Sequence, residues 1–225
     1  MDNELLRLNN LSFGYKSDLV IDGLNLTISC GDKLGVLGHN GAGKTTLIKL
    51  MAKILLPKSG EVWHSESINK RIGFMSDALG LYPFLNAKEN LELVLLRNNI
   101  KPAKEMINNI LTSIQIDLND KKTVEKYSTG MKKKLSLIST LTSNPLLFIL
   151  DEPFLGIDPV SLKFMIDTIN QTSNEENAFV IVNHDLNSIQ KTCNKFLIIK
   201  DGKISFSSDR QEDIENIEEI YFKYS

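Results

Sequence analysis

The segment at 38–46 constrains the fold of this chain more than any other part of the sequence. It reads Gly-His-Asn-Gly-Ala-Gly-Lys-Thr-Thr and fits the phosphate-binding pattern G-x-x-x-x-G-K-[ST] at every fixed position. An apolar run at 33–37 precedes it and can form a short buried strand, and the apolar residues after it, up to Ile54, have helical spacing. A strand, a glycine loop and a helix in this order predict a phosphate-binding loop in an α/β fold.

The chemistry of such a loop depends on its backbone as well as its side chains. Successive N–H groups turn inward and cradle phosphate oxygens at the N-terminus of a helix. We expect the Lys44 ammonium to neutralise the β- and γ-phosphates of a nucleotide and the Thr45 hydroxyl to ligate Mg²⁺. The predicted nucleotide-binding residues of the loop are Gly38, Asn40, Gly41, Ala42, Gly43, Lys44, Thr45 and Thr46.

The composition excludes several classes of protein. With 225 residues, 42% of them hydrophobic, the chain can bury a sizeable core as one large domain or a domain with an insertion. A net charge of −2 argues against a nucleic-acid partner, which usually needs a basic face. The acidic N-terminus lacks an apolar signal region, and no apolar run approaches the ~18 residues of a membrane span. Cys30 and Cys193 match no metal spacing. We therefore expect a cytoplasmic protein.

Strands are predicted on both sides of the loop. Alternating short apolar runs ahead of the loop are typical of antiparallel strands, whereas continuous apolar runs later in the chain are typical of parallel strands that are buried on both faces. An Asp201-Gly202 hairpin and an amphipathic C-terminal helix packed on the core complete this part. The predicted strand regions are 5–28, 61–64, 71–75, 146–150, 178–182 and 196–199.

The middle of the chain has a different, helical pattern. A capping box begins at Asn86, and two further stretches of helical spacing follow it. The last helix carries three consecutive lysines at 132–134, which we interpret as a solvated face. The helical part at 84–135 is therefore predicted to interrupt an α/β core that comprises 1–83 and 136–225.

Two carboxylates follow the apolar run at 146–150 directly. Asp151 and Glu152 would lie at the carboxyl edge of a parallel sheet, where ligands of such sheets bind. We expect Asp151 to hold Mg²⁺ through water. Glu152 could orient or deprotonate a water molecule that attacks the γ-phosphate.

The order of these motifs resembles the ATP-binding subunit of an ABC transporter over nearly the whole chain. The resemblance implies a P-loop NTPase core of the RecA-like type, with an N-terminal antiparallel β subdomain and an inserted α-helical subdomain. It also implies that Tyr15 stacks on adenine and that His184 contacts the γ-phosphate. Ser128 and Gly130 would bind the γ-phosphate that a second subunit holds, and Asp158 would reach across the dimer.

Two segments depart from the usual pattern of that family. The signature, usually L-S-G-G-Q, reads Tyr-Ser-Thr-Gly-Met at 127–131, which looks like a subgroup of bacterial exporters whose membrane half is a separate chain. Asp77 stands where the family has a glutamine that meets Mg²⁺ and the attacking water. The shorter, anionic side chain leaves an indirect contact with the metal as an alternative.

The resemblance implies an ATPase that uses ATP and Mg²⁺ to power export of a peptide, an antibiotic or another small cargo through ATP-dependent dimer closure. Its partners would be separate transmembrane permease subunits and a second nucleotide-binding subunit, on the inner face of the cell membrane. Two alternatives remain open at this point. One is an ABC ATPase not coupled to transport, of the iron–sulfur assembly type, and the other is a regulatory cassette with weak turnover.

Overall fold

The computed structural model describes residues 3–16, 18–69, 71–76 and 80–225. Two sheets form the framework. The smaller one is antiparallel, with strand order β2-β1-β4. Its strands bury alternate side chains against the rest of the molecule, as the alternating apolar pattern predicts. The strands of this sheet are β1 (Glu4–Tyr15), β2 (Asp18–Ser29) and β4 (Ser59–His64).

The larger sheet carries the phosphate loop. Its strand order is β5-β6-β7-β3-β8-β9, and all neighbours are parallel except the β8–β9 hairpin, which turns at Asp201 and Gly202 as predicted. The central strands are buried along their whole length, which explains their continuous apolar runs. The strands are β3 (Lys33–Leu37), β5 (Ile72–Met75), β6 (Leu147–Asp151), β7 (Ala178–Val182), β8 (Lys195–Lys200) and β9 (Lys203–Ser208).

The helices after the phosphate loop, in the middle of the chain and at the C-terminus agree with the predicted positions, with differences at their ends, whereas α5 and α6 were not predicted. The capping box is confirmed, because Asn86 Oδ1 accepts from the Glu89 N–H and the Glu89 carboxylate accepts from the Asn86 N–H. The helices are α1 (Lys44–Met51), α2 (Ala87–Arg97), α3 (Lys104–Ser113), α4 (Thr129–Leu141), α5 (Pro159–Thr172), α6 (Leu186–Thr192), α7 (Gln211–Glu215) and α8 (Ile217–Tyr224). Within the described ranges, none of them has both the length and the apolar character that crossing a membrane requires.

Two helix predictions are wrong in extent. Helix α1 ends at Met51, because Lys53 takes a positive φ of 54° and the N–H of Ile54 bonds back to Lys49 O. The Ile54 side chain is therefore more than half exposed. The C-terminal amphipathic segment is two helices, since the helix geometry is interrupted at Asn216 between α7 and α8.

Three hydrophobic clusters hold these layers together. One lies between the two sheets around α1, a second covers the opposite face of the larger sheet, and a third fills the helical part. Helix α4 belongs to both of the latter, because Leu135 packs in the helical cluster and Leu137 packs on the sheet. The helix thus joins the helical part firmly to the core, and the domain boundary at residue 135 stays a prediction.

Candidate functional site

The phosphate loop joins β3 to α1, as the sequence predicts, and it leaves room for no side chain at Gly43. This residue precedes α1 with a left-handed φ of 106°. A Cβ built on it would lie 2.9 Å from the Val20 carbonyl oxygen. Only glycine combines this backbone conformation with such a close approach at low cost. The loop therefore packs directly on β2, and Val20 lines the cavity in front of it.

Lys44 closes the loop on itself. Its side chain is buried, and Nζ donates to the carbonyl oxygens of Gly38 at 2.7 Å and His39 at 3.0 Å. Burial lowers the pKa of Lys44, and the carboxylates of Glu152 and Asp151 partly offset that effect. The loop thus holds its lysine in a preformed position beside both carboxylates.

The carboxyl ends of three neighbouring strands meet beside this loop. Because β6, β7 and β3 are adjacent, Asp151 is paired with Val182, and Val182 is paired with Val36. The Thr45 hydroxyl donates to Asp151 Oδ1 at 3.4 Å. In proteins with a phosphate-binding loop, Mg²⁺ is ligated by a hydroxyl oxygen and a carboxylate oxygen, with nucleotide phosphates and water as its other ligands. The residues therefore fit the metal.

The side chains of Glu152 and His184 are in contact at this edge. Glu152 Oε1 lies 2.9 Å from His184 Nε2. Burial and the Lys44 ammonium lower the pKa of His184, even though the Glu152 carboxylate beside it acts in the opposite direction. The neutral imidazole can donate its Nε2 proton to Glu152, which fixes the direction of the carboxylate.

Two adjoining cavities follow this edge. The smaller, of about 280 Å³, lies over the phosphate loop, and the larger, of about 940 Å³, extends past Asp151. The larger cavity has an apolar side formed by Ile54, Phe74 and Leu155, which the sequence analysis did not predict as site residues. Both cavities are lined by Asn40, Thr45, Glu152 and His184.

The signature residues lie in a separate patch and line neither cavity. Ser128 precedes α4, and its hydroxyl accepts from the Met131 N–H at 3.2 Å. Gly130 packs against the start of α5, where a Cβ on it would lie 2.4 Å from Ser161 Oγ and 2.8 Å from Asp158 Oδ2. Asp158 caps α5, and the Ser161 hydroxyl bond lowers the pKa of its carboxyl group. Gly130 and Asp158 are thus in direct contact.

Tyr15 and Asp77 are the remaining predicted site residues. The Tyr15 ring is about half exposed, meets the Phe13 ring edge-on at 5.1 Å and does not line either cavity. Asp77 lies outside the described residues, and the neighbouring Ser76 lines the larger cavity. The assignment of both to nucleotide and metal stays a prediction.

The interpretation of 132–134 as a solvated face is wrong for two of the three lysines. Lys133 is 4% exposed and Lys134 is 6% exposed. The Lys134 ammonium donates to Ile114 O and lies over the Phe164 ring, while the Lys133 ammonium donates to Glu152 O. Their long apolar stems cross a packed interface and deliver the charge to buried carbonyl groups, which a charge run alone does not reveal.

Comparison with known proteins agrees with this geometry. The family model described as ABC transporter matches residues 21–155, more than half of the chain. The bacitracin transport ATP-binding protein BcrA of Bacillus licheniformis is 33% identical over 209 residues, which cover 89% of this chain and 68% of the relative. The lantibiotic transport ATP-binding protein SrtF of Streptococcus pyogenes is 27% identical over 96% of both chains.

Solved structures share the whole fold. An ATP-binding subunit of an ABC transporter superposes with a TM-score of 0.86 at 22% identity, and the match covers 98% of this chain and 99% of that one. A dimeric ATP-binding cassette, MJ0796, in a post-hydrolysis state with ADP and phosphate gives 0.78 at 19% identity, over 92% and 99% of the chains. The expected RecA-like core with an antiparallel β subdomain is confirmed. The chain belongs to the ABC transporter family and is an ATP-binding subunit that hydrolyses ATP.

Proposed function

We propose that this ATPase powers export by closing head to tail on a second nucleotide-binding subunit. The observation that carries the proposal is the separation of two predicted halves of one site. The loop, Asp151 and the Glu152–His184 pair share the cavities, whereas Ser128 and Gly130 start a helix elsewhere on the molecule. A γ-phosphate held by the loop can meet a helix start of this kind when a second subunit supplies it.

The residues on this edge then divide the chemistry among themselves. Lys44 and the N–H groups of the loop bind the phosphates, and Thr45 and Asp151 hold Mg²⁺, which supplies positive charge at the phosphate oxygens. Glu152 orients a water molecule and accepts its proton. Neutral His184 holds the Glu152 carboxylate by its single N–H, at Nε2.

The permease would bind the helical part together with the loop just before it. Several large apolar side chains are exposed there, and such side chains form binding surfaces where they lie together. Phe84 is 78% exposed, and Tyr82 and Leu96 are each more than half exposed. A shallow cavity of about 390 Å³ lies among Tyr82, Leu93, Val94, Leu96 and Arg97. We propose that a short apolar segment of a membrane subunit binds this surface and holds the chain on the inner face of the membrane.

The cargo class follows from the relatives. BcrA is named for bacitracin transport and SrtF for lantibiotic transport, so peptide antibiotics are the cargo that we propose. The test is to purify the complex from membranes through this chain and to identify the chains that come with it. Transmembrane partners, and loss of growth on a peptide antibiotic when Glu152 is changed to Gln, support export. Partners confined to soluble iron–sulfur assembly proteins would contradict it.

A further inference from the structure

Lys133 contacts the main chain of Glu152, at the edge of the larger sheet that carries the nucleotide cavities. It lies in the second turn of α4 and is 4% exposed, so its charge has left bulk water. A buried ammonium is stable in a protein when hydrogen-bond acceptors replace its water shell. Here Nζ donates to the carbonyl oxygen of Glu152 at 2.5 Å. A bond from a charged donor is stronger than one between neutral groups.

The peptide that receives this bond has a strained conformation. Glu152 has a φ of 50°, in the left-handed region that non-glycine residues seldom adopt. Such a residue keeps this conformation when its surroundings hold it on several sides. The N–H of Glu152 donates to Val182 O at 2.9 Å, and its carbonyl oxygen accepts from the Leu155 N–H at 3.3 Å as well as from Lys133.

Helix α4 connects the bond between Lys133 and Glu152 to the signature segment at 127–131. Helix α4 begins after Ser128, and Lys133 projects from it onto the turn that follows β6. A shift of α4 therefore moves the donor that holds the Glu152 peptide. The carboxylate of Glu152 responds, because its contact with His184 depends on the direction in which the backbone presents it.

We propose that Lys133 is a positioning residue for ATP hydrolysis. It holds the left-handed peptide of Glu152, so that the carboxylate stays at His184, and it links that placement to α4. The proposal rests on the role proposed above for Glu152. It predicts a loss in kcat rather than in ATP affinity, because Lys133 contacts the main chain of Glu152 and does not line the nucleotide cavities.

The neighbouring lysines provide matched controls. Lys134 is buried to the same degree and also donates to a backbone carbonyl, that of Ile114 at 3.0 Å, within the helical part. Lys132 is partly exposed and donates to Glu125 O at 2.9 Å. Replacing each by glutamine removes one lysine–carbonyl bond from the same helix. The three variants differ in whether that bond reaches Glu152.

The experiment measures ATP hydrolysis by the transporter complex purified from membranes, with wild-type chain and with each variant. Lys133→Gln should lower kcat at least about tenfold, because small displacements of a catalytic group cost up to about a hundredfold, while KM for ATP stays within about twofold. Lys133→Arg, which keeps a cationic donor, should restore most of the activity. Lys132→Gln and Lys134→Gln should keep kcat within about twofold. Lys133→Met replaces the glutamine variant if that one is not recovered folded, with the same expectation.

Two outcomes would overturn the proposal. One is that Lys133→Gln keeps wild-type kcat, and the other is that Lys134→Gln loses as much kcat as Lys133→Gln at an equal loss of melting temperature. The Glu152→Gln variant separates this inference from the proposed role of Glu152, on which it rests. If Glu152→Gln itself retains activity, the role of Glu152 is wrong; if it is inactive while Lys133→Gln is not, only the positioning role fails. Adding Lys133→Gln to Glu152→Gln should cause no further loss.

Discussion

Polar side chains face open cavities at the loop edge (the phosphate loop with Asp151 and Glu152), whereas they are bonded within the chain in the signature patch (Ser128, Gly130 and Asp158). At the loop edge, Lys44, Asp151 and Glu152 converge on open cavities, and their charges perturb one another. In the signature patch, the side chains of Ser128 and Asp158 accept hydrogen bonds from the backbone N–H groups of α4 and α5, which they cap. The difference teaches that the first region is built to receive a ligand within one chain. The second is a packed surface, which under the proposed dimer would meet a ligand held by another subunit.

Nucleotide binding by the isolated chain gives the largest contrast between the two regions. Lys44→Ala removes a charged donor from the phosphate loop, so ATP affinity should fall at least about tenfold. Ser128→Ala should leave that affinity unchanged, yet lower hydrolysis by the assembled transporter about a hundredfold, as loss of a donor to transition-state charge does. Titration with a fluorescent ATP analogue and steady-state hydrolysis measure the two effects.

Lys163→Ala is the control for that experiment, because this lysine is exposed on α5 and, within the described residues, forms an ion pair with the nearby Asp167. It should change neither quantity. Equal loss of ATP affinity in the Lys44 and Ser128 variants would mean that both regions contact nucleotide within one chain, and the division into two halves would be lost.

The packing of Gly130 gives a smaller effect, on stability. Gly130→Ala forces a methyl group against Ser161 Oγ and Asp158 Oδ2, so we expect the free energy of unfolding to fall by about 1–3 kcal/mol, as for other overpacked sites. Adding Ser161→Ala should recover part of the loss, since it removes the closer of the two oxygens. Urea denaturation of the single and double variants measures both. An unchanged midpoint for Gly130→Ala would show that α4 and α5 are not tightly packed here.

The pH dependence of stability should give the smallest effect. The folded pKa of His184 is lowered from 6.5, so the unfolded chain binds more protons at acid pH. The stabilising contribution is complete above pH 6.5 and decreases as the pH falls through the folded pKa. His64, bonded to Met51 O and also lowered by burial, contributes in the same direction from the other sheet. Replacing either histidine by glutamine should reduce the acid slope in denaturant titrations, and a steeper slope would contradict the assigned direction.

Much of the fold could be predicted because its signals are local. The capping box at Asn86, the hairpin at Asp201 and the buried strands each depend on a few consecutive residues, and each is confirmed. The end of α1 could not be predicted from spacing, because Lys53 adopts a left-handed turn within an otherwise helical apolar pattern. The lysine run differs from its predicted exposure for a related reason, since a charged residue with a long apolar stem can cross an interface that periodicity describes as a surface.

The sequence by itself determined the phosphate loop and the carboxylates after β6, because a short motif carries its own backbone geometry and chemistry. The tertiary structure decided which of these groups touch. Asp151 lies beside Val182 because β6 and β7 are neighbours in the sheet, and this pairing brings Glu152 to His184. The bond from Lys133 to Glu152 arises where α4 packs on the turn after β6. Such contacts depend on the order of strands and on how side chains fill the space between layers, and residue spacing along the chain does not specify either one.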